Sequence, residues 1–213
     1  MAIRLVDIRK QSGGLPLRVA KGHFATGHSH INYYIDLTMT KHRLSEAQRA
    51  AQALCAAYSP STIVDTILCL DGTEVIGACM AAEFTRAGFA NMNAHHTVYV
   101  MTPEQMPASQ LVFRDNIAPM IAGKHVLVLA AAVTTGYTAQ IAVEAVRCYM
   151  GVPVGVCCIF SALEECEEFP VVSVYSKRLH LEDYESHPSQ NCPFCKSGVR
   201  VDAMVGSQGI SSF

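Results

Sequence analysis

The stretch Val126-Leu-Val-Leu-Ala-Ala-Ala-Val-Thr-Thr-Gly-Tyr-Thr138 constrains this chain more than any other. Its aliphatic run follows Gly123-Lys-His and ends in a turn of small residues, the pattern of a buried parallel strand. A helix is expected from about Tyr137 to Tyr149, with Ala142, Ala145, Val146 and Tyr149 on one apolar face. Strand, turn and helix together make an anion site. The first helical amides have no backbone partner, the helix dipole favours negative charge, and the Thr134, Thr135 and Thr138 hydroxyls add donors. The spacing and the missing Lys exclude a triphosphate P-loop, and the glycines do not form a dinucleotide fingerprint. The expected ligand is a single phosphate, as on a sugar monophosphate.

Composition narrows the class. A chain of 213 residues, half of them hydrophobic, can build one domain with a full core. No apolar run reaches membrane-spanning length, so no membrane partner is expected. The N-terminus mixes charges with aliphatics and does not read as a signal peptide. Of nine Cys, Cys55, Cys69, Cys79, Cys157 and Cys158 lie in apolar segments, where a thiol acts as a small hydrophobe; a cytoplasmic location is expected. A net charge of −2 with no basic run speaks against nucleic acid.

Alternating strands and helices from residue 45 onward predict an α/β fold with a parallel twisted sheet flanked by helices. Ser45-Glu-Ala-Gln48 reads as a capping box opening a helix to about Tyr58. A strand over Thr62–Leu70, the turn Asp71-Gly72-Thr73-Glu74 and an apolar helix from about Val75 to Ala87, ended by Gly88, follow. Further elements are a strand Thr97–Met101, a short helix over about Arg114–Ile121, strands Gly151–Phe160 and Pro170–Tyr175, and an acidic solvated helix or connection over Ser161–Glu168. Ligands of such sheets bind beyond the carboxyl ends of the strands, so Asp71–Glu74 and Ala130–Thr138 should face one crevice.

The segment Val126–Thr138 resembles the phosphoribosyl-pyrophosphate signature of type I phosphoribosyltransferases. The resemblance implies that Val133, Thr134, Thr135, Gly136, Tyr137 and Thr138 hold a 5′-phosphate. It also implies two carboxylates for the ribose hydroxyls, but Ala130 and Ala131 stand at those positions. Lys21–Leu37 is similar to the base-covering segment of orotate phosphoribosyltransferases, with Phe24, Thr26, Gly27, Tyr33, Tyr34 and Asp36 at the matching places; residue pattern alone suggests a surface hairpin. Asp71, Gly72, Thr73 and Glu74 match the family's pyrophosphate loop in position, without its Lys. The two carboxylates read either as Mg²⁺ ligands, as a substitute ribose clamp, or as a tight turn followed by a helix-start charge. The family's mobile loop corresponds to Thr102–Gln110, which has no base; Arg114 and Lys124 are the nearest cations. No catalytic residue is assigned.

The chain thus divides into an N-terminal hood (1–44), a phosphoribosyltransferase-like core (45–175) and a C-terminal extension (176–213). In the extension, Cys192-Pro-Phe-Cys195 reads as half a zinc site, a redox pair or a thiol turn, with His180 and His187 as candidate completing ligands. His23, His28 and His30 read as exposed turn histidines. The resemblance further implies an orotate phosphoribosyltransferase-like protein that binds phosphoribosyl pyrophosphate or a nucleoside monophosphate as a homodimer, with Mg²⁺ if it is catalytic. The absent carboxylates at Ala130 and Ala131, with the missing loop cation, favour the alternative of a catalytically impaired homologue that binds a phosphorylated ligand as a regulator.

Overall fold

The computed structural model describes residues 3–8, 14–58, 62–86, 93, 97–107, 110–206 and 209–212. Its centre is a six-stranded sheet. The strands are β4 (Thr66–Cys69), β5 (Tyr99–Met101), β8 (His125–Val133), β9 (Val152–Ser161), β10 (Glu165–Cys166) and β11 (Phe169–Ser176), in the order β10-β11-β9-β8-β4-β5. All neighbours are parallel except β10, which runs antiparallel at the edge.

Both faces of this sheet are covered, which explains why β8 is apolar throughout rather than alternating. Val126, Val128 and Ala130 pack toward α4 (Tyr137–Cys148), among Ala142, Val143 and Val146. Leu127, Leu129 and Ala131 point the other way, into a core shared with α2 (Leu44–Cys55) and α3 (Glu74–Thr85). Helix α3 lies close on β4 because residue 77 is glycine: a Cβ there would collide with the Cys69 sulfur. Cys69, Cys157 and Cys158 are fully buried free thiols, and burial pushes Cys158 up to about 12. They serve as small hydrophobes.

The hood is a second six-stranded sheet. Strands β2 (Leu17–Ala25) and β3 (Ser29–Asp36) form its central hairpin, and β1 (Val6–Ile8) pairs with β2. The C-terminal segment supplies the rest: β12 (Ser186–Pro188) pairs with β3, β13 (Ala203–Gly206) runs parallel to β2, and β14 (Gly209–Ser212) closes the edge. Leu17, Val19, Phe24 and Tyr34 from the hood join the same core as α2 and α3. The short helices α5 (Lys177–His180) and α6 (Pro193–Lys196) carry the chain between β11 and β13, and β6 (Glu104–Gln105) pairs with β7 (Leu111–Val112).

Three expectations are corrected. Ser45 does not cap a helix: a five-residue helix, α1 (Thr38–His42), leads into α2 through Arg43 alone, so Ser45 already lies inside α2. Arg114–Ile121 is a turn followed by one 3₁₀ turn at Ala118–Met120, where Pro119 withholds a backbone donor. The acidic stretch 161–168 contains the edge strand β10. The helix stop expected at Gly88 lies outside the described residues.

Hood and core are tied by a buried ion pair. Arg18 on β2 makes two hydrogen bonds to the Glu46 carboxylate on α2, at 3.0 and 2.9 Å, and Thr40 adds a third at 3.3 Å. The Glu46 side chain is 7% exposed, and the Arg18 hydrogen bonds hold its carboxyl below the ordinary range. Removing Glu46 leaves Arg18 only a longer, 3.8 Å contact with Asp7. Glu46→Gln should lower unfolding stability by about 3 kcal/mol at neutral pH, measured in urea. Because Glu46 is depressed in the folded state, its contribution is present above the unfolded value and is lost as pH falls through the folded one. The wild-type loss of stability below about pH 4 should therefore be shallower in the variant.

Candidate active site

Three pieces of backbone converge beyond the carboxyl ends of β4 and β8. The first is the turn from β8 to α4. Gly136 caps α4 with φ +81°, a left-handed conformation open to glycine, and no side chain caps the helix. The leading amides of α4 are therefore left for an anion, with Thr134, Thr135 and Thr138 lining the space in front of them. Val133 lies behind: it is buried, and its carbonyl accepts the Ala162 N–H at 2.8 Å. It frames the loop instead of facing a ligand.

The second piece is the turn from β4 to α3, where Asp71 (φ 57°) and Gly72 (φ 76°) are both left-handed. Asp71, Gly72 and Glu74 line the crevice, whereas Thr73 is buried beneath it, donating to the Leu70 carbonyl at 2.8 Å. The Asp71 carboxyl accepts the backbone N–H of Ala131; burial raises it, and that bond and Lys41 pull it back. A carboxylate thus stands against the strand position that carries alanine.

The third piece is the tip of the β2–β3 hairpin. Thr26 shapes it: its hydroxyl accepts the Ser29 N–H at 2.9 Å, and its own N–H donates to the Ser29 carbonyl at 2.7 Å. His28 at the tip reaches across to Tyr137 at the start of α4, with ring centroids 4.9 Å apart. Tyr33 and Tyr34 line the crevice under the tip, Tyr34 nearly buried and pushed up to about 12 by burial. Phe24 does not line it. It is 1% exposed and packs on Tyr34 from the core side, because the register of β2 turns it inward, so its expected contact with a base is overturned.

The crevice has two lobes of about 330 and 380 Å³ that share His28, Asp71 and Thr138, a size suited to a small ligand. Its cation comes from a place the sequence reading missed. Lys41, on α1, donates to the Asp71 carbonyl at 2.8 Å, and burial lowers its ammonium against the opposing pull of Asp71, Glu74 and Asp36. Its only local signal is its position after the Tyr33-Tyr34-Ile35-Asp36 strand, in a stretch with no helical periodicity. Arg114, the nearest cation to the baseless loop Thr102–Gln110, is bound by both oxygens of Glu104 and lies outside the crevice lining.

The candidate metal residues fall elsewhere. Cys192 and Cys195 come together with His23 and His30, not with His180 or His187. His180 turns back on Ser176, and His187 bonds Glu185 at 3.1 Å. His23 is 2% exposed, which corrects its reading as an exposed turn residue.

No family model matches the chain, and no curated protein matches it significantly. Solved structures do. An orotate phosphoribosyltransferase from Aeropyrum pernix superposes with a TM-score of 0.55 at 18% identity, covering 78% of this chain and 91% of that one. A phosphoribosyltransferase from Corynebacterium diphtheriae gives 0.52 at 18% identity, over 76% and 90%. An adenine phosphoribosyltransferase from Thermoanaerobacter pseudethanolicus gives 0.51 at 12% identity, over 82% and 95%.

The two turn glycines of the site should respond oppositely to alanine. A Cβ at Gly136 would meet Leu163 Cδ1 at 3.1 Å in a left-handed conformation, so Gly136→Ala should cost about 1–2 kcal/mol of unfolding stability. At Gly27 a Cβ meets nothing within 4 Å, and Gly27→Ala should be neutral or stabilising by up to ~1 kcal/mol. Urea titrations of both variants check this.

Proposed function

Because the chain has the type I phosphoribosyltransferase fold, we propose that it is an orotate phosphoribosyltransferase-like protein. It binds phosphoribosyl pyrophosphate or a nucleoside monophosphate in the crevice and transfers ribose 5-phosphate to a pyrimidine base. The observation that carries this reading is the convergence of the β8–α4 turn, the Asp71–Glu74 turn and the hood tip on one crevice.

The amides of Tyr137 and Thr138 and the hydroxyls of Thr134, Thr135 and Thr138 hold the 5′-phosphate. Asp71, beside Ala131, accepts hydrogen bonds from the ribose hydroxyls in place of carboxylates on β8. Lys41 supplies positive charge to the pyrophosphate side, a role that the bound Arg114 leaves unfilled. Tyr34 and the hairpin tip cover the base, while the Tyr33 hydroxyl is held by Asp183 at 2.8 Å and its ring lies under Lys21. The carboxylates of Asp71 and Glu74 suit Mg²⁺, which takes one or two protein oxygens and completes its shell with water and phosphate. The metal would neutralise charge on the departing pyrophosphate. The same reading includes a homodimer in the cytoplasm.

A second reading, a regulator that binds a phosphorylated ligand without turnover, is favoured by Ala130, 2% exposed where a clamp carboxylate would stand, and by the Glu104 lock on Arg114. Calorimetric titration with phosphoribosyl pyrophosphate and with ribose 5-phosphate, each with and without Mg²⁺, separates the two. The transferase reading expects Mg²⁺-dependent, tighter binding of the pyrophosphate compound, weakened about 10–100-fold by Asp71→Asn, the worth of one or two bonds to a charged group. Equal, metal-independent binding of both supports the regulator. Binding of neither ends both readings.

A further inference from the structure

The His23, His30, Cys192 and Cys195 ligand atoms lie within 4.8 Å of one another, at the base of the β2–β3 hairpin, and come from both ends of the chain. We propose that these four side chains hold one structural Zn²⁺ ion that fastens the C-terminal segment to the hood hairpin.

The donor set is the two-thiolate, two-imidazole combination of closed zinc sites. The spacing agrees with it. Tetrahedral Zn²⁺, with bonds of about 2.0–2.3 Å, sets adjacent nitrogen and sulfur ligands about 3.6 Å apart. Cys192 Sγ lies 3.5 Å and Cys195 Sγ 3.7 Å from His23 Nε2, and Cys195 Sγ lies 3.3 Å from His30 Nδ1. The two imidazole nitrogens are 2.9 Å apart, so a small outward movement of His30, the less buried ring, completes the tetrahedron.

The surroundings orient the ligands. His23 Nδ1 faces the carbonyls of Val199 and Arg200 at 3.0 and 3.2 Å. Carbonyls only accept, so Nδ1 carries the proton and Nε2 turns its lone pair toward the thiols, the arrangement that fixes a metal-binding tautomer. The His23 backbone is itself held on both sides by Asp202: its N–H donates to the Asp202 carboxylate at 2.8 Å, and its carbonyl accepts the Asp202 N–H at 2.7 Å. Pro193 opens the single helical turn of α6, which brings Cys195 round beside Cys192. The CxxC turn, β2 and β3 therefore meet at one point. The hairpin tip between His23 and His30 would be anchored at its base by the metal.

This inference does not depend on the ligand of the crevice, and its test uses none. The untagged full-length chain, expressed with zinc supplied, should contain one zinc per chain by elemental mass spectrometry. Replacement by Co²⁺ should give the visible absorption of a tetrahedral ion with a thiolate charge-transfer band. Cys195→Ser and His30→Gln, at the less buried positions, should lose the zinc, whereas His180→Gln and His187→Gln should retain it. A strong chelator should lower the unfolding temperature of the wild type and leave that of Cys195→Ser unchanged. A metal-free protein whose cobalt form shows no thiolate band overturns the proposal, even if every variant fails to fold. A Cys192–Cys195 disulfide in freshly isolated chain, or zinc retained by both Cys195→Ser and His30→Gln, overturns it as well.

Discussion

Double-sided burial of the parallel sheet is the constraint on which the rest of this structure depends. With α4 on one face of β8 and α2, α3 and the hood on the other, β8 can expose polar backbone only at its ends. At its carboxyl end Val133 still serves the sheet, and the chain turns only at Thr134. The neighbouring strand β4 stops earlier, its last residue Cys69 pairing with Leu129, and the chain turns at Asp71 beside the end of β8. Two turns that leave parallel strands side by side must face each other, and each begins a helix. The crevice is therefore a consequence of strand register and needs no loop of special length.

The hood solves a different problem. A two-stranded hairpin alone is marginal in water. Here β2 and β3 gain β12 on one side and β13 and β14 on the other, all from the C-terminal segment. Their inner face joins the α2–α3 core, and Arg18–Glu46 fixes the angle between the layers. A buried ion pair is a poor source of net stability because desolvation offsets most of the attraction. Its geometric demand is strict, however, and it fixes where α1, and with it Lys41, meets the Asp71 turn.

How much of this the sequence carried depended on the range of the interaction involved. Strand β8 and helix α4 were legible because both follow from local periodicity, and the Thr-Thr-Gly turn because its residues have local conformational meaning. Helix α1 was not legible: five residues show no period, and α1 is stabilised by burying Thr40 and Lys41 against α2 and the Asp71 turn. The capping box at Ser45 failed for the same reason, since α1 already supplied the preceding turn. The Cys192–Cys195 pair is visible in the sequence, but its partners are distant in the chain. His23 and His30 reach it because β12 pairs with β3 and β13 with β2, joining segments distant in the sequence. Phe24 and Tyr34 look alike in a sequence pattern, and only strand register decides which one faces the crevice.

The placement of Asp71 follows from the alanines beside it. Alanines at 130 and 131 keep β8 apolar to its last turn, and Ala131 leaves its N–H to be satisfied by a side chain from the adjacent strand. Asp71 can meet that need because a left-handed turn aims its carboxyl sideways across the sheet, not outward to water. A carboxylate so placed is partly desolvated, which raises the energy of its charged form unless a cation or hydroxyl comes to it. Lys41 is the cation within reach, but its contact is with the Asp71 backbone carbonyl at 2.8 Å, and burial lowers its own charge affinity. The charge pattern follows from packing: an ammonium and a carboxylate, each held by backbone and each under-solvated, flank a helix start that lacks a cap. In the proposed function that is the arrangement a sugar phosphate completes, its hydroxyls meeting Asp71 while its phosphate meets α4.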